Sequence, residues 1–289
     1  MSVAALARLV KLSHSLFALP FAAAAAALVG RAALPDGLPS RLVLVAIAVV
    51  AARTAAMAMN RIADRAIDAQ NPRTLRRELV TGEVSLRAAF VLLGGSAALF
   101  LGVAFGLSAR CGLLALPVLA VLLGYSYAKR FTWACHLWLG AAQALGPVGV
   151  SVALTGGLEP SAAVLGLGVG AWVAGFDVFY ALQDLEFDRG AGVRSIPARF
   201  GVRDALFFGR ALHLVAVAAV ATAGALGDRG PGWLAGTAVL AGTLAAEHLY
   251  VAPGGTLRRE RINVAFFNYN AFASLAFALC ALGDAILWR

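Results

Sequence analysis

Charged residues are scarce in this 289-residue chain: Asp, Glu, Lys and Arg make up 13% of it, and 61% of the residues are hydrophobic. A soluble domain has roughly twice that share of charge, about 25%. Four stretches contain no charged side chain at all: residues 88–109, 111–128, 131–158 and 262–283. Because a helix needs about 20 apolar residues to cross a bilayer, these stretches indicate an integral membrane protein.

Cysteine is also rare, which limits the metal chemistry that the chain can carry. Cys111, Cys135 and Cys280 are scattered through hydrophobic segments without paired spacing, so they are interpreted as small apolar packing residues. No set of Cys and His residues has the spacing of a zinc site. A metal ion would therefore be bound by oxygen ligands.

The hydrophobic pattern predicts an all-α, integral membrane bundle of about nine helices in a single domain, residues 1–289. Residues 1–30 superficially resemble a signal peptide, but their apolar run is long and eight more follow, so we interpret it as the first span. The predicted spans are 9–30, 40–60, 86–109, 111–128, 132–156, 161–182, 205–226, 232–252 and 263–287.

The net charge of +9 reflects membrane topology rather than binding to nucleic acid. With these spans, 18 of the 24 Lys and Arg residues lie at the N-terminus or around the even-to-odd loops, and five lie on the opposite side. The positive-inside rule places the N-terminus and those loops in the cytoplasm. Glycine-rich residues 166–170 are interpreted as a helix-packing surface, because small residues let membrane helices approach closely.

Two predicted cytoplasmic loops, residues 61–85 and 183–204, are long and charged, and we expect them to cap the bundle. The span before each loop ends in three polar residues spaced four apart: Asn60, Asp64 and Asp68 in one, and Tyr180, Asp184 and Asp188 in the other. Equivalent members are 120 residues apart. This pattern indicates a weak internal duplication with one acidic cluster in each half.

The aspartates predict a magnesium–diphosphate site. Residues i and i+4 of a helix share a face, so Asp64 with Asp68, and Asp184 with Asp188, can each contact one cation. Mg²⁺ is commonly held by one or two carboxylates, with substrate phosphate and water completing its shell. The alternative is that these residues are solvated helix ends paired with neighbouring arginines. Among the basic residues on the same predicted face, the candidates for phosphate oxygens are Arg73, Lys129 and Arg194.

Polar residues inside the spans suggest an acceptor site, since an ionisable group in a membrane helix is a functional candidate by default. Arg53 lies two turns before Asn60, and Asp177 lies two turns before Asp184. Arg53 is a candidate for an acceptor carboxylate and Asn60 for a hydroxyl or oxo group. A structural Arg53–Asp177 ion pair is the alternative. His14 is a weaker acceptor candidate, equally consistent with a core histidine.

Tyrosines near the internal ends of their spans could stabilise an allylic cation through their ring faces. They are Tyr125, Tyr127 and Tyr180. Tyrosine belts at membrane interfaces are the alternative explanation.

Together these motifs resemble the intramembrane aromatic prenyltransferases of the UbiA superfamily, and most closely the 4-hydroxybenzoate polyprenyltransferases. The resemblance rests on residues 60–68 with 71–74, 180–188 with 194–195, 125–132 (YSYAKRFT) and 14–20 (HSLFALP). It implies Mg²⁺-dependent transfer of a polyprenyl group from its diphosphate to an aromatic acid in quinone biosynthesis, with Asp177 and the three tyrosines near the chemistry. The implied location is a bacterial-type inner membrane, with membrane lipid around the enzyme and a lateral opening for the prenyl tail.

One position departs from the family pattern: Arg61 stands where the first motif often has an aspartate. The acceptor also stays open, because Arg53 suits 4-hydroxybenzoate and equally a dihydroxynaphthoate of menaquinone synthesis. Outside this class, a transporter could show duplicated architecture with midplane polar groups. A membrane scaffold would not need metal-ligand spacing twice, and transferases that use a CDP-alcohol concentrate their aspartates in one segment.

Overall fold

A computed structural model of the chain describes residues 2–11, 18–29 and 37–288, and every regular element in these ranges is a helix. The helices are α1 Val3–Leu9, α2 Ala18–Leu28, α3 Leu38–Asp68, α4 Glu78–Thr81, α5 Leu86–Leu107, α6 Ala109–Ala128, α7 Cys135–Thr155, α8 Pro160–Ala181, α9 Leu185–Gly190, α10 Ile196–Leu226, α11 Pro231–Val251, α12 Ile262–Val264 and α13 Asn270–Leu287. A π-helical turn, Ala265–Tyr269, joins α12 to α13.

Eight helices in the described part of the chain are long and apolar enough to cross a membrane. They are α3, α5, α6, α7, α8, α10, α11 and the continuous segment Arg259–Leu287. These match the second to ninth predicted spans, which confirms an all-α membrane bundle. The first predicted span, 9–30, coincides only in part with the 11-residue α2. Its remaining residues lie partly outside the described ranges, so the ninth crossing stays a prediction.

Contacts divide the chain into two compact units. The first comprises Met1–Leu19 and Gly37–Ala128, as far as these are described, and is built on α3, which packs against α5 and α6. The short helix α1 packs against α3 and α4 and buries Leu9 and Ala5 beside Leu79. This satellite cluster attaches the N-terminal helix to the segment that follows α3.

The second unit comprises Pro20–Asp36 and Lys129–Arg289, again within the described residues. Its central helix is α8, which packs on α7 and α10 through glycines. A Cβ atom on Gly166 or Gly170 would lie 2.6 Å from a main-chain oxygen of α7, and one on Gly168 would lie 3.0 Å from Val220 in α10. The prediction that this glycine run is a packing surface is therefore confirmed.

The first acidic segment is helical, contrary to the prediction of a loop from residue 61. Helix α3 continues for 31 residues to Asp68, before Asn71 and Pro72. A helix of this length spans about 46 Å, more than the roughly 30 Å of hydrocarbon core. The sequence placed the end too early because charged residues interrupt the apolar run, although charge alone does not break a helix.

The second acidic segment is interrupted where the first is continuous. Helix α8 ends at Ala181, and Asp184 becomes the N-cap of the six-residue α9. Helix α10 then starts at Ile196, earlier than the predicted 205, and contains a break at Gly201, whose φ of 85° is readily adopted only by glycine. The duplication seen in the sequence is therefore only partial in the structure.

Candidate functional site

The acidic pair of the first unit is buried at the end of α3. Asp64 is 2% exposed and Asp68 is 5% exposed, so both carboxylates are held inside the unit by a rigid helix. Asn60 lies one turn earlier, and its Nδ2 donates a hydrogen bond of 3.1 Å to Oδ2 of Asp64. The predicted Asn60–Asp64–Asp68 series thus lies along one helix, and a hydrogen bond joins its first two members.

The segment after α3 folds back onto Asp68. Nη1 of Arg77 lies 2.5 Å from Oδ2 of Asp68, and the Thr74 hydroxyl donates to the main-chain oxygen of Asp68 at 3.0 Å. The Asn71 side chain accepts a hydrogen bond from the amide of Arg73, an Asx-type turn that leaves the Arg73 side chain exposed. The guanidinium on this carboxylate is that of Arg77, which the sequence analysis did not select.

Arg61, which stands at the departure from the family pattern, serves the N-terminal helix. It is 5% exposed, and its Nε donates to the carbonyl oxygen of Leu9 at 3.2 Å. Nη1 of Arg53 donates to the carbonyl oxygens of Val10 and Lys11, at 3.2 and 3.4 Å. Both guanidinium groups therefore satisfy main-chain oxygens at the C-terminal end of α1, where a positive charge is favourable.

The acidic pair of the second unit lies at α9, where Asp184 is the N-cap and Asp188 is within the helix. Asp188 is buried, and its Oδ2 accepts a hydrogen bond of 3.2 Å from the Ser195 hydroxyl. Burial raises the pKa of Asp188 to about 6, and the Asp184 carboxylate acts in the same direction, whereas Ser195, Lys129 and His136 lower it. A divalent cation beside the two carboxylates would offset both the burial and their mutual repulsion.

The basic candidates Lys129 and Arg194 are joined through the main chain. The amide of Arg194 donates to the carbonyl oxygen of Lys129 at 2.8 Å, and Nη1 of Arg194 donates to that of Phe131 at 2.6 Å. Ser195, the next residue, also caps α10 by accepting from the amide of Ala198. Residues 194 and 195 thus lie beside the turn at residues 129–131, and the Ser195 hydroxyl donates to Asp188.

Asp177 has a partner that the sequence analysis missed. Its Oδ2 lies 2.7 Å from Nδ1 of His136, which is in the first turn of α7. The His136 side chain is 3% exposed and that of Asp177 is 22% exposed. The two residues are 41 positions apart, so no local spacing could reveal the pair.

The tyrosine candidates are in different settings. The Tyr180 ring lies 4.3 Å from that of Phe266, centroid to centroid. Tyr125 and Tyr127 are both on α6, but residues two apart point away from each other, and Tyr127 is 40% exposed. α6 therefore does not present both rings on one side. His14 lies outside the described residues.

The carboxylates fit a cation that a substrate helps to bind. In ranges 2–11, 18–29 and 37–288, no three His, Cys, Asp or Glu side chains are grouped so as to hold a metal ion. Pairs such as Asp184 with Asp188 offer hard oxygen ligands, which suit Mg²⁺, but too few for its six positions. Phosphate oxygens and water would have to complete the shell.

The fold is that of an integral membrane protein with one acidic pair in each unit: Asp64 and Asp68 are buried at the end of α3, and buried Asp188 on α9 follows the half-buried Asp184. The UbiA prenyltransferase family profile matches residues 18–281. The chain therefore belongs to the UbiA prenyltransferase family and is a prenyltransferase. It is 31% identical to a 4-hydroxybenzoate octaprenyltransferase of Pseudomonas aeruginosa strain UCBPP-PA14, over 86% of this chain and 83% of the relative. A Pseudomonas fluorescens Pf-5 protein of the same name is 32% identical over 83% of this chain and 80% of the relative.

Solved structures share the fold. A UbiA homolog from Aeropyrum pernix K1 superposes with a TM-score of 0.82 at 34% identity, covering 95% of this chain and 97% of that one. A UbiA homolog from Archaeoglobus fulgidus, bound to GPP and Mg²⁺, gives a TM-score of 0.72 at 21% identity, covering 96% of this chain and 99% of that one. The second likeness is one of fold alone.

Proposed function

We propose that this protein transfers a polyprenyl group from polyprenyl diphosphate to an aromatic acid of the 4-hydroxybenzoate type, in an Mg²⁺-dependent reaction of quinone biosynthesis. The observation that carries the proposal is the buried Asp188 beside Asp184, on a segment that also brings Lys129 and Arg194 together. The two Pseudomonas relatives are named for this reaction. The 4-hydroxybenzoate type of acceptor comes from these relatives and from the sequence motifs.

The proposed metal ligands are Asp64 and Asp68 in one unit and Asp184 and Asp188 in the other. Magnesium bound to such carboxylates would neutralise the diphosphate and stabilise it as a leaving group. The proposal assigns further phosphate oxygens to Arg73, Lys129 and Arg194, since arginine makes two parallel hydrogen bonds to phosphate and lysine acts as a point charge. It adds Arg77, because its guanidinium already lies against a proposed ligand, Asp68.

The proposed acceptor residues are Arg53, Asn60 and His14, with Arg53 facing the acceptor carboxylate. A guanidinium has five N–H donors, so its bonds to main-chain oxygens are compatible with this role. Tyr180 is proposed to stabilise the allylic cation, its ring supported by Phe266. Of the two tyrosines on α6, we assign this role to Tyr125, which is less exposed than Tyr127.

The membrane setting suits the substrates. A polyprenyl chain and its product both dissolve in lipid, and exclusion of water prevents the cation from being quenched to an alcohol. The basic residues around the even-to-odd loops support a cytoplasmic location for the acidic segments, in a bacterial-type inner membrane. A lateral opening for the prenyl tail is part of the proposal.

The test is prenyl transfer by purified protein in liposomes. The assay supplies a long-chain prenyl diphosphate, Mg²⁺ or EDTA, and either 4-hydroxybenzoate or a dihydroxynaphthoate. We expect a prenylated 4-hydroxybenzoate that requires Mg²⁺. A product formed only with the dihydroxynaphthoate would show that the proposed acceptor is wrong and the proposed class of reaction is right. No transfer to either acceptor by folded protein would contradict the proposal.

Single variants test the metal assignment. Asp64→Ala and Asp184→Ala are expected to abolish transfer while the protein stays folded, because each removes a metal ligand. Glu186→Ala is the matched control: this carboxylate is also on α9, but its side chain is 74% exposed and pairs with Arg259 at the surface. Near-normal turnover in either aspartate variant would contradict the metal assignment.

A further inference from the structure

A buried histidine holds the one intramembrane aspartate of α8. Nδ1 of His136 and Oδ2 of Asp177 are 2.7 Å apart, and Nε2 of His136 is buried without a hydrogen-bond partner among the described residues. An ionised carboxylate can only accept hydrogen bonds, so the imidazole proton lies on Nδ1. The histidine therefore fixes one carboxylate oxygen of Asp177.

The two side chains differ in access, which separates their roles. The His136 side chain is 3% exposed, whereas the Asp177 side chain is 22% exposed. A group that reacts with a substrate must be reachable, and a group behind it can only orient it. Asp177 is thus the reachable member of the pair and His136 its support.

Asp177 lies near the end of α8, just ahead of the acidic segment of the same unit. Tyr180 lies three residues later on the same helix, so the two side chains are neighbours on one face. Helix α8 ends at Ala181, and the proposed ligand Asp184 follows as the N-cap of α9. The reachable carboxylate is therefore beside the ring proposed to stabilise the cation, and a proposed metal ligand follows closely in the chain.

We propose that His136 is a positioning residue that holds Asp177 to receive the proton released from the aromatic ring. In this step the C–O bond to the diphosphate breaks with its electron pair leaving on oxygen. A ring carbon then uses a π electron pair to bond the prenyl carbon. The C–H bond at that ring carbon breaks, its electrons restore aromaticity, and the proton passes to the open oxygen of Asp177.

The inference rests on the proposed function, since it assigns a part of that reaction to this pair. It makes a distinct prediction about rate limitation. With a well-placed base, loss of the ring proton is fast and deuterium at the reacting ring position has little effect on turnover. With a misplaced base, proton loss becomes slow and an isotope effect appears.

The test compares three substitutions of His136 in the full-length protein. His136→Asn places an amide N–H donor near the position of Nδ1, and His136→Gln places one near the position of Nε2. His136→Leu has no hydrogen-bond donor in its side chain. We expect kcat to fall about 100-fold in the His136→Leu and His136→Gln variants, at the lower end of the range of general acid–base effects. The KM for prenyl diphosphate should not change, and Asn should restore most of kcat. A kinetic isotope effect on turnover of ring-deuterated 4-hydroxybenzoate should appear only in the His136→Leu and His136→Gln variants.

His213→Leu is the matched control. His213 is another buried histidine of the second unit, 2% exposed, whose Nδ1 lies 3.1 Å from Nε2 of His248. Its loss reports the cost of removing a buried imidazole, measured by thermal unfolding in detergent, and should leave the isotope effect unchanged.

The outcomes separate the two ideas. If the unsubstituted protein transfers prenyl groups but the three His136 variants share one kcat and show no isotope effect, the positioning role is wrong and the proposed function stands. If kcat falls without an isotope effect and thermal stability falls with it, His136 is structural only and the inference is again wrong. If the unsubstituted protein transfers nothing, both fail.

Discussion

The contact between α7 and α8 sets the geometry of the His136–Asp177 pair, and Gly140→Ala tests this. Gly140 is one turn after His136. A Cβ atom on Gly140 would lie 2.5 Å from the carbonyl oxygen of Gly170 in α8 and 3.0 Å from Cβ of Ala174. Backbone atoms cannot rotate away as side chains can, so the two helices must separate.

The size of the shift follows from the contact. An ordinary contact starts at 3.4 Å, so the helices must move by about 0.9 Å, which is 3.4 Å less 2.5 Å. Transmitted one turn to His136, that shift would lengthen the bond from 2.7 Å to about 3.6 Å, beyond hydrogen-bond range. Overpacking costs about 1–3 kcal/mol. A 1 Å misplacement near a reacting group can cost up to about 100-fold in rate.

The assay pairs thermal unfolding in detergent with prenyl transfer in liposomes. Gly149→Ala is the control, because Gly149 is on the same helix, is exposed, and has nothing within 4 Å of an added Cβ. Alanine there should be neutral or stabilise by up to about 1 kcal/mol. Gly140→Ala should melt several degrees lower, at roughly 2–4 °C per kcal/mol, and turn over more slowly. Equal melting and equal turnover in the two variants would refute the reasoning.

Two further predictions concern buried polar groups of the second unit. The Asn270 side chain accepts a hydrogen bond from the indole N–H of Trp172 at 2.7 Å and donates one to Oε1 of Glu247 at 3.2 Å. Asn270→Leu leaves both partner groups buried without a hydrogen bond, and each such group lowers the free energy of unfolding by about 1–3 kcal/mol. Its melting temperature should fall well below that of Glu247→Gln, which keeps an acceptor; similar melting would contradict this. Asp284 accepts from the amide of Gly230, the N-cap of α11, at 2.9 Å. Asp284→Ala should lower the stability by about 1–2 kcal/mol and Asp284→Asn by less, and no difference between them would show that the bond contributes nothing.

The membrane class and most of the helices could be predicted from the sequence because both depend on local composition. An apolar run long enough to span lipid must form a helix, since lipid offers no other partner for the backbone. Eight of the nine predicted spans were found on this basis. The acidic residues were selected because few carboxylates are tolerated in such a chain unless they have a role, and their binding of a metal ion stays a prediction.

The ends of elements were less predictable. α3 continues to Asp68 although the apolar run stops near residue 60, because its last two turns are held by tertiary contacts. Arg61 illustrates this: the sequence shows only that it stands where the family often has an aspartate, whereas in the structure it is buried and donates to the carbonyl oxygen of Leu9. Sequence shows which residue is charged and not which main-chain oxygen lies within its reach.

Residue spacing within one helix fixed the Asn60–Asp64–Asp68 series, since a 3.6-residue period puts these side chains on one face. Only the tertiary structure could pair His136 with Asp177 or Ser195 with Asp188, because these residues come from different helices. The His136–Asp177 pair depends on two helices approaching at glycine, a contact determined by packing across 30 residues of chain between Gly140 and Gly170. The helical period determines which residues share a face of one helix, and close packing of helix backbones determines which residues of another helix that face contacts.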